Sequence, residues 1–246
     1  MDGMSLIRSW LELMPHTEFG ADAVLRGSQL TASWVPGRVA ADLDFVLMGD
    51  WSLDRATRVV NQLLGSSELP AEGVVADLCV KAWGIWLETP CPGLRLELSR
   101  GERKLQVDFG WGEVLGVAPR PFELEGLTLP AVAPEVMFAW KVHSLVELGP
   151  RGRWHPKTLI DLVLLARHCT LDPVATKRCI ESAFASREMS LSALDAFFTA
   201  EDWGSGRSSR HKWKKYVATA PWVTFSRTDA ISEAREVVRS FLHPVS

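Results

Sequence analysis

Asp42-Leu43-Asp44-Phe45-Val46-Leu47, preceded by Ala23-Val24-Leu25-Arg26-Gly27-Ser28, is the stretch whose reading decides the fold. The run from Asp42 to Leu47 predicts a strand. Residues two apart on a strand share a face, so both carboxylates point to one side of a sheet while Leu43 points to the other. Two adjacent anions need a counter-charge, and a hard divalent cation such as Mg2+ takes carboxylate and substrate phosphate oxygens together. The pair therefore points to phosphoryl chemistry and to Asp42 and Asp44 as metal ligands. Before it, Ala23-Val24-Leu25 predicts a short buried strand, Gly27 a tight turn, and Ser28 to Trp34 a helix capped by the Ser28 hydroxyl. Such a helix start offers free N–H groups to a triphosphate, with Gly27 allowing close approach and Ser28 adding a hydrogen bond. An ordinary cap or loop fits the same residues.

A third carboxylate comes from Lys104-Leu-Gln-Val-Asp-Phe109. Leu105, Val107 and Phe109 alternate with Lys104, Gln106 and Asp108, the period of a half-buried strand with Asp108 on its polar side. If this strand neighbours the Asp42/Asp44 strand, three carboxylates converge, enough to hold two metal ions that activate an attacking oxygen and stabilise a leaving phosphate. Taken alone, Asp108 equally suits a solvated strand face.

Two further charges stand in apolar surroundings. On a helix from Pro134 to Leu148, Lys141 lies at helical spacing from Met137, Phe138, Leu145 and Leu148. Asp161 is the one polar member of Leu159-Ile-Asp-Leu-Val-Leu-Leu-Ala166. Lys141 can carry its ammonium out to solvent. Unpaired buried charges are expensive, however, and the simplest resolution is that Lys141 and Asp161 face a shared cleft, the lysine binding nucleotide phosphate and the aspartate orienting it or the acceptor hydroxyl.

These residues carry a family resemblance. Leu25-Arg26-Gly27-Ser28-Gln29-Leu30, then Arg38, then Asp42-Leu43-Asp44-Phe45, with thirteen residues between Ser28 and Asp42, resembles the first motif of the AbiEii-type nucleotidyltransferases, members of the polymerase-beta-like superfamily. Ala133-Pro134-Glu135 leading to Lys141, then Arg151 or Arg153 and Asp161-Leu162, is similar to that family's later lysine and aspartate motifs. The resemblance spans about Val24 to Ala166, with a weaker echo from Arg235 to Val245. Ala40 stands where the family commonly has Ser, and Thr158 where an acidic residue often precedes the aspartate; neither change removes a metal ligand.

The resemblance implies a nucleotidyltransferase core with a mixed sheet, α/β or α+β in class, followed by a helical C-terminal domain. It implies transfer of an NMP from an NTP to an acceptor hydroxyl with Mg2+ as cofactor. Asp42, Asp44, Asp108, Lys141 and Asp161 would be catalytic, the first three holding metal, and Gly27, Ser28, Arg38 and Lys141 would bind nucleotide. The implied acceptor is the 3′ end of tRNA, and the implied role is that of a toxin or phage-defence protein with a cognate antitoxin. Transfer to a small molecule such as an aminoglycoside, or a noncatalytic member that binds nucleotide or a partner, are the alternatives.

The pattern along the chain changes once, near Pro130. Strands are predicted around Val24, Asp42–Leu47, Leu78–Leu87, Leu94–Leu98 and Lys104–Phe109, with helices at Leu6–Met14 and Ser52–Leu64. Beyond Pro130 the pattern is helical: Pro134–Leu148, Pro156–Cys169, Asp172–Ser186, Ser190–Ala200, Ser208–Ala220 and Asp229–Leu242. This suggests an α/β core over residues 1–131 and a helical domain over 132–246 that completes the active-site cleft.

Composition suits an enzyme in solution. No apolar run approaches the roughly 20 residues that span a bilayer, and charges interrupt Met1 to Met14, so no membrane association and a cytoplasmic location are expected. Cys79, Cys91, Cys169 and Cys179 are widely spaced and suggest free thiols, and the six histidines form no catalytic pattern. The net charge of −3 argues against indiscriminate nucleic-acid binding, yet Trp203 to Thr228 has no acidic residue. There Arg207, Arg210, Lys212, Lys214 and Lys215, with Trp213 and Tyr216 for stacking, suit an RNA backbone or a plain solvated face. Trp111 and Trp154 are candidates to stack on a base.

Overall fold

The computed structural model describes residues 5–147 and 155–243. Its residues group into two compact units: Met1–Leu30, Val39–Glu113 and Pro119–Val132 form the first, and Thr31–Arg38, Val114–Ala118 and Ala133–Ser246 the second.

The first unit is built on one mixed sheet. In chain order its elements are α1 (Leu6–Leu13), β1 (Ala23–Arg26), the start of α2 (Ser28–Trp34), β2 (Leu43–Leu47), α3 (Leu53–Leu64), β3 (Ala71–Val75), β4 (Leu78–Ile85), β5 (Gly93–Arg100), β6 (Arg103–Gly110), β7 (Arg120–Leu124) and β8 (Leu127–Ala131). The strands lie in the order β3-β4-β5-β6-β2-β1-β8-β7. Both β2 against β6 and β1 against β8 are parallel, and the remaining neighbours are antiparallel. The fold is α/β with a mixed sheet, and the five strands read from alternation are present.

Register shows why this sheet can be apolar on one side and charged on the other. Leu25 pairs with Phe45, Phe45 with Phe109, and Phe109 with Leu94, a row across four strands in which every member is buried. Phe45 and Phe109 stack at 5.3 Å between centroids, and Phe19 and Trp10 close on Phe109 at 4.5 and 6.0 Å. Burying such side chains contributes about 1.5–3 kcal/mol each. Because the side-chain period of a strand is two, the next row must point the other way, and a one-residue slip would bury charge in place of phenylalanine.

Three strands escape a reading by alternation. β7 and β8 contain Pro121 and Pro130, opposite one another in register. Proline removes a ladder donor and so argues against a strand except near an edge, where this hairpin lies. β3, with Gly73 at its centre, forms the other edge.

The second unit contains α4 (Pro134–Ser144), α5 (Pro156–His168), α6 (Pro173–Ala185), the short α7 (Asp195–Thr199), α8 (Arg207–Val217) and α9 (Arg227–Leu242). Local chemistry sets their starts. Proline leads α4, α5 and α6 in the position where its missing N–H costs nothing. Asp172 accepts from the Ala175 N–H at 2.7 Å, and Ser226 with Asp229 forms a reciprocal cap at α9. α4 packs on α5 and α6, and α5 packs on α8 and α9. The turn around Arg151 and Arg153, and Trp154, lie outside the described residues.

Candidate active site

The charged row of the first unit defines the site. Arg26 pairs in register with Asp44, Asp44 with Asp108, and Asp108 with Arg95, so four charges of sign plus, minus, minus, plus cross β1, β2, β6 and β5 on one face. Asp42 stands immediately before β2, half-buried like Asp44. The parallel pairing of β2 with β6 makes the two strands neighbours and sets Asp108 directly beside Asp44, while Asp42 lies outside the paired residues.

Asp108 is 3% exposed, so it does not lie on a solvated face. Its carboxylate is gripped at both oxygens: Arg95 Nε donates to Oδ1 and Nη2 to Oδ2, each at 2.7 Å, and Gln106 Nε2 donates to Oδ2 at 3.1 Å. The hydrogen bond to Asp108 raises the Arg95 pKa above its ordinary value against a lowering by burial, with Asp42 and Asp44 adding further attraction. At the other end of the row Arg26 pairs with Glu113, a buried residue the sequence did not single out. Burial opposes the Arg26 charge, but Glu113 and Asp44, and less strongly Asp108, outweigh it and raise its pKa.

Gly27 is held to this row by space. Its φ is +81°, and a Cβ there would lie 2.0 Å from Asp44 Oδ2, so glycine is required both by conformation and by the approach of the carboxylate. Ser28 is the first residue of α2, and its hydroxyl donates to the Asp42 carbonyl at 3.2 Å, joined by Gln29 Nε2 at 3.3 Å. These bonds tie the start of α2 to the start of β2 and hold the two halves of the motif together.

The donor set around Asp42, Asp44 and Asp108 is all carboxylate oxygen, which suits a hard divalent cation. Among the described residues no three His, Cys, Asp or Glu side chains are already gathered as a metal cage, and both Asp108 oxygens face Arg95. The residues present fit such a cation once Asp108 is released.

In the second unit, Lys141 of α4, Asp161 of α5 and Arg38 come together. Lys141 Nζ lies 3.2 Å from Asp161 Oδ2, and Arg38 Nε donates to Oδ1 at 2.9 Å. Burial favours the neutral acid, but the charges of Lys141 and then Arg38 outweigh it and lower the Asp161 pKa below the ordinary carboxylate value. Asp161 is thus held by two cations at once. Tyr216 of α8 lies in the same field: burial raises its pKa, with Arg38 lowering and Asp161 raising it.

The remaining candidates separate. Arg207, Arg210, Lys214 and Lys215 are exposed along α8, which has no buried residue, and Lys212 is half-buried. Trp111, expected to meet a base, is fully buried against Phe19 at 5.6 Å and Trp51 at 4.7 Å, where no base can reach it. It follows β6 on the aromatic side of the sheet. All four cysteines are free, and burial, with Glu135 second, raises the thiols of Cys169 and Cys179 to about 11. Arg95 was missed because the alternation of Leu94, Leu96 and Leu98 marks it only as outward-facing; its register with Asp108 is the informative signal.

A mixed sheet bearing an Asp-x-Asp pair after a Gly-Ser turn, with a third aspartate on the neighbouring strand, is the arrangement of a nucleotidyltransferase. The family described as "Nucleotidyl transferase AbiEii toxin, Type IV TA system" matches residues 10–223, and the chain belongs to it. The protein is thus an enzyme of nucleotidyl transfer. A solved structure described as "putative nucleotidyltransferase from H. pylori" is 14% identical, with 97% of this chain and 96% of that chain covered and a TM-score of 0.46. No curated protein matches the chain.

Proposed function

We propose that this enzyme transfers an NMP from an NTP to the 3′ hydroxyl of tRNA, releasing pyrophosphate, and that it acts in the cytoplasm as the toxin of a toxin–antitoxin pair. The observation that carries the reading is the row Arg26–Asp44–Asp108–Arg95 beside Asp42 and Gly27-Ser28. Asp42 and Asp44, with Asp108 as third carboxylate, would hold Mg2+, which in this chemistry lowers the pKa of the attacking hydroxyl and offsets charge on the leaving phosphate.

The chain's own groups supply the rest. Gly27 permits backbone to approach phosphate, and Ser28 holds the turn in place through the Asp42 carbonyl. By the family resemblance Arg38 and Lys141 would bind phosphate oxygens, and Asp161, bonded to both, orients their side chains. α8 presents Arg207, Arg210, Lys214 and Lys215 to solvent at helical spacing, with Lys212 at its margin, a surface that suits an RNA backbone. Membership of a family described by a type IV system supports a cognate antitoxin as partner. Among the described residues no helix is long and apolar enough to cross a membrane.

The test is incubation of the pure protein with each α-labelled NTP, Mg2+ and total RNA. Label at the 3′ end of tRNA is expected. Label on an added aminoglycoside with none on RNA would move the acceptor to a small molecule, and no incorporation with any NTP and either acceptor would refute the reading.

A further inference from the structure

Asp108 presents a conflict between its chemistry and its partners. A third metal-binding carboxylate should offer an oxygen toward Asp44, its neighbour in register, yet both of its oxygens are taken by Arg95 in a two-pronged contact at 2.7 Å. The arrangement is stable without a cation. Two carboxylates directly opposite on adjacent strands repel, and the guanidinium at the end of the row offsets that repulsion.

Arg95 differs from Arg26, the other cation of the row. Arg26 is committed to Glu113, a buried carboxylate with 2% of its side chain exposed. Among the described residues Arg95 has no such second anchor: its side chain is 28% exposed, and it is attracted by Asp108, Asp42 and Asp44 together. One arginine is fixed, and the other is held only by the carboxylates that a divalent cation would also bind.

We propose that Arg95 is an exchangeable counter-ion: it holds Asp108 while the site awaits its substrate, gives that carboxylate up to the divalent cation, and turns its guanidinium to the triphosphate that arrives with the cation. The inference rests on the reading of Asp42 and Asp44 as the cation's ligands and deepens it, because it makes Arg95 a ligand of nucleotide phosphate. Arginine suits the exchange, since its planar fork matches carboxylate and phosphate equally well. No covalent bond changes; one anionic partner of the guanidinium replaces another. The exchange also means that Asp108 is at no stage left to face Asp44 without a cationic partner.

The exchange predicts two changes of opposite sign when Arg95 is replaced. In the full-length protein without nucleotide, Mn2+ binding followed by electron paramagnetic resonance should tighten about tenfold in Arg95→Gln, because the competitor for Asp108 and a nearby positive charge both disappear. Tripolyphosphate, the part common to all NTPs, should bind the Mn2+-loaded variant about tenfold more weakly than the Mn2+-loaded wild type. Arg95→Lys keeps the charge without the two-pronged grip, so Asp108 is not stranded and folding is preserved; its Mn2+ affinity should also rise, by several-fold.

Tightening in Arg95→Gln but not in Arg95→Lys would reduce the effect to a general field and overturn the exchange. Unchanged or weaker Mn2+ binding in both, or tripolyphosphate affinity unaltered in Arg95→Gln, would overturn it equally. Asp44→Ala serves as the control for the underlying reading. Mn2+ bound equally by wild type and Asp44→Ala would refute the cation site itself, whereas binding lost in Asp44→Ala and unaffected by either Arg95 variant would refute the exchange alone.

Discussion

Replacing Asp161 by Asn removes an anion that both Arg38 and Lys141 contact, and the structure sets the size of the effect. Asp161 has 1% of its side chain exposed, Arg38 has 8% and Lys141 has 18%. Solvent therefore screens these charges only weakly. Stranding a buried charge by removing its partner costs about 3–5 kcal/mol, and the Asn oxygen can still accept from Arg38, which places the loss near the lower end, about 3 kcal/mol. For a chain of this length that loss corresponds to a fall of roughly 6–12 °C in melting temperature. Lys141→Ala is the informative contrast. It leaves Asp161 bonded to Arg38 at 2.9 Å, so the expected loss is about 1 kcal/mol, or roughly 2–4 °C. The pH dependence follows from the lowered Asp161 pKa: the carboxylate's contribution is complete above the unfolded value of about 3.9 and is lost only as pH falls through the lower folded value. The gap between wild type and Asp161→Asn should therefore be flat across neutral pH and narrow below about pH 4. Differential scanning calorimetry of the three proteins from pH 3 to 8 measures all of this. A loss in Lys141→Ala equal to or larger than that in Asp161→Asn would refute the account, as would a gap that closes near neutral pH.

Three further outcomes are expected. Asp42→Ala and Asp44→Ala should abolish transfer at saturating Mg2+ while circular dichroism stays native, and near-wild-type turnover in either would discard the site. Gly27→Ala should cost about 1–3 kcal/mol of stability and most of the activity, since its Cβ meets Asp44 Oδ2 at a φ of +81°; a thermally and kinetically normal variant would contradict the close approach. Replacing Lys212, Lys214 and Lys215 together by Ala should weaken tRNA binding and lower the slope of log affinity against log salt by about 2–3, whereas an unaltered slope would remove α8 from the interface.

What the sequence disclosed, and what it withheld, divides along a physical line. Features carried by neighbouring residues were legible: the alternation of β6, the helical spacing around Lys141 and the turn at Gly27. Proline hid β7 and β8, because a missing N–H argues against a strand unless the strand's place in the sheet is already known. Trp111 was misjudged for a related reason, since nearness to Asp108 in sequence says nothing about which side of the sheet a residue faces just beyond the strand's end. Arg95 and Glu113 were overlooked although they partner residues that had been singled out; their roles follow from register between strands far apart in the chain, which no local pattern contains.

That register also answers the question the two aspartates first raise. Asp44 and Asp108 side by side in a sheet are an unfavourable pair, and like charges directly opposite destabilise a ladder. The row tolerates them because an arginine closes it at each end, Arg26 anchored on Glu113 and Arg95 bonded to Asp108. The charged face is thereby stable before any substrate arrives, and the apolar row Leu25–Phe45–Phe109–Leu94 behind it keeps the strands from slipping. A sheet that only had to fold would fill those positions more cheaply with neutral side chains. Four charges held in register, with one arginine left half-exposed, are what a surface needs in order to exchange its own cation for that of a substrate.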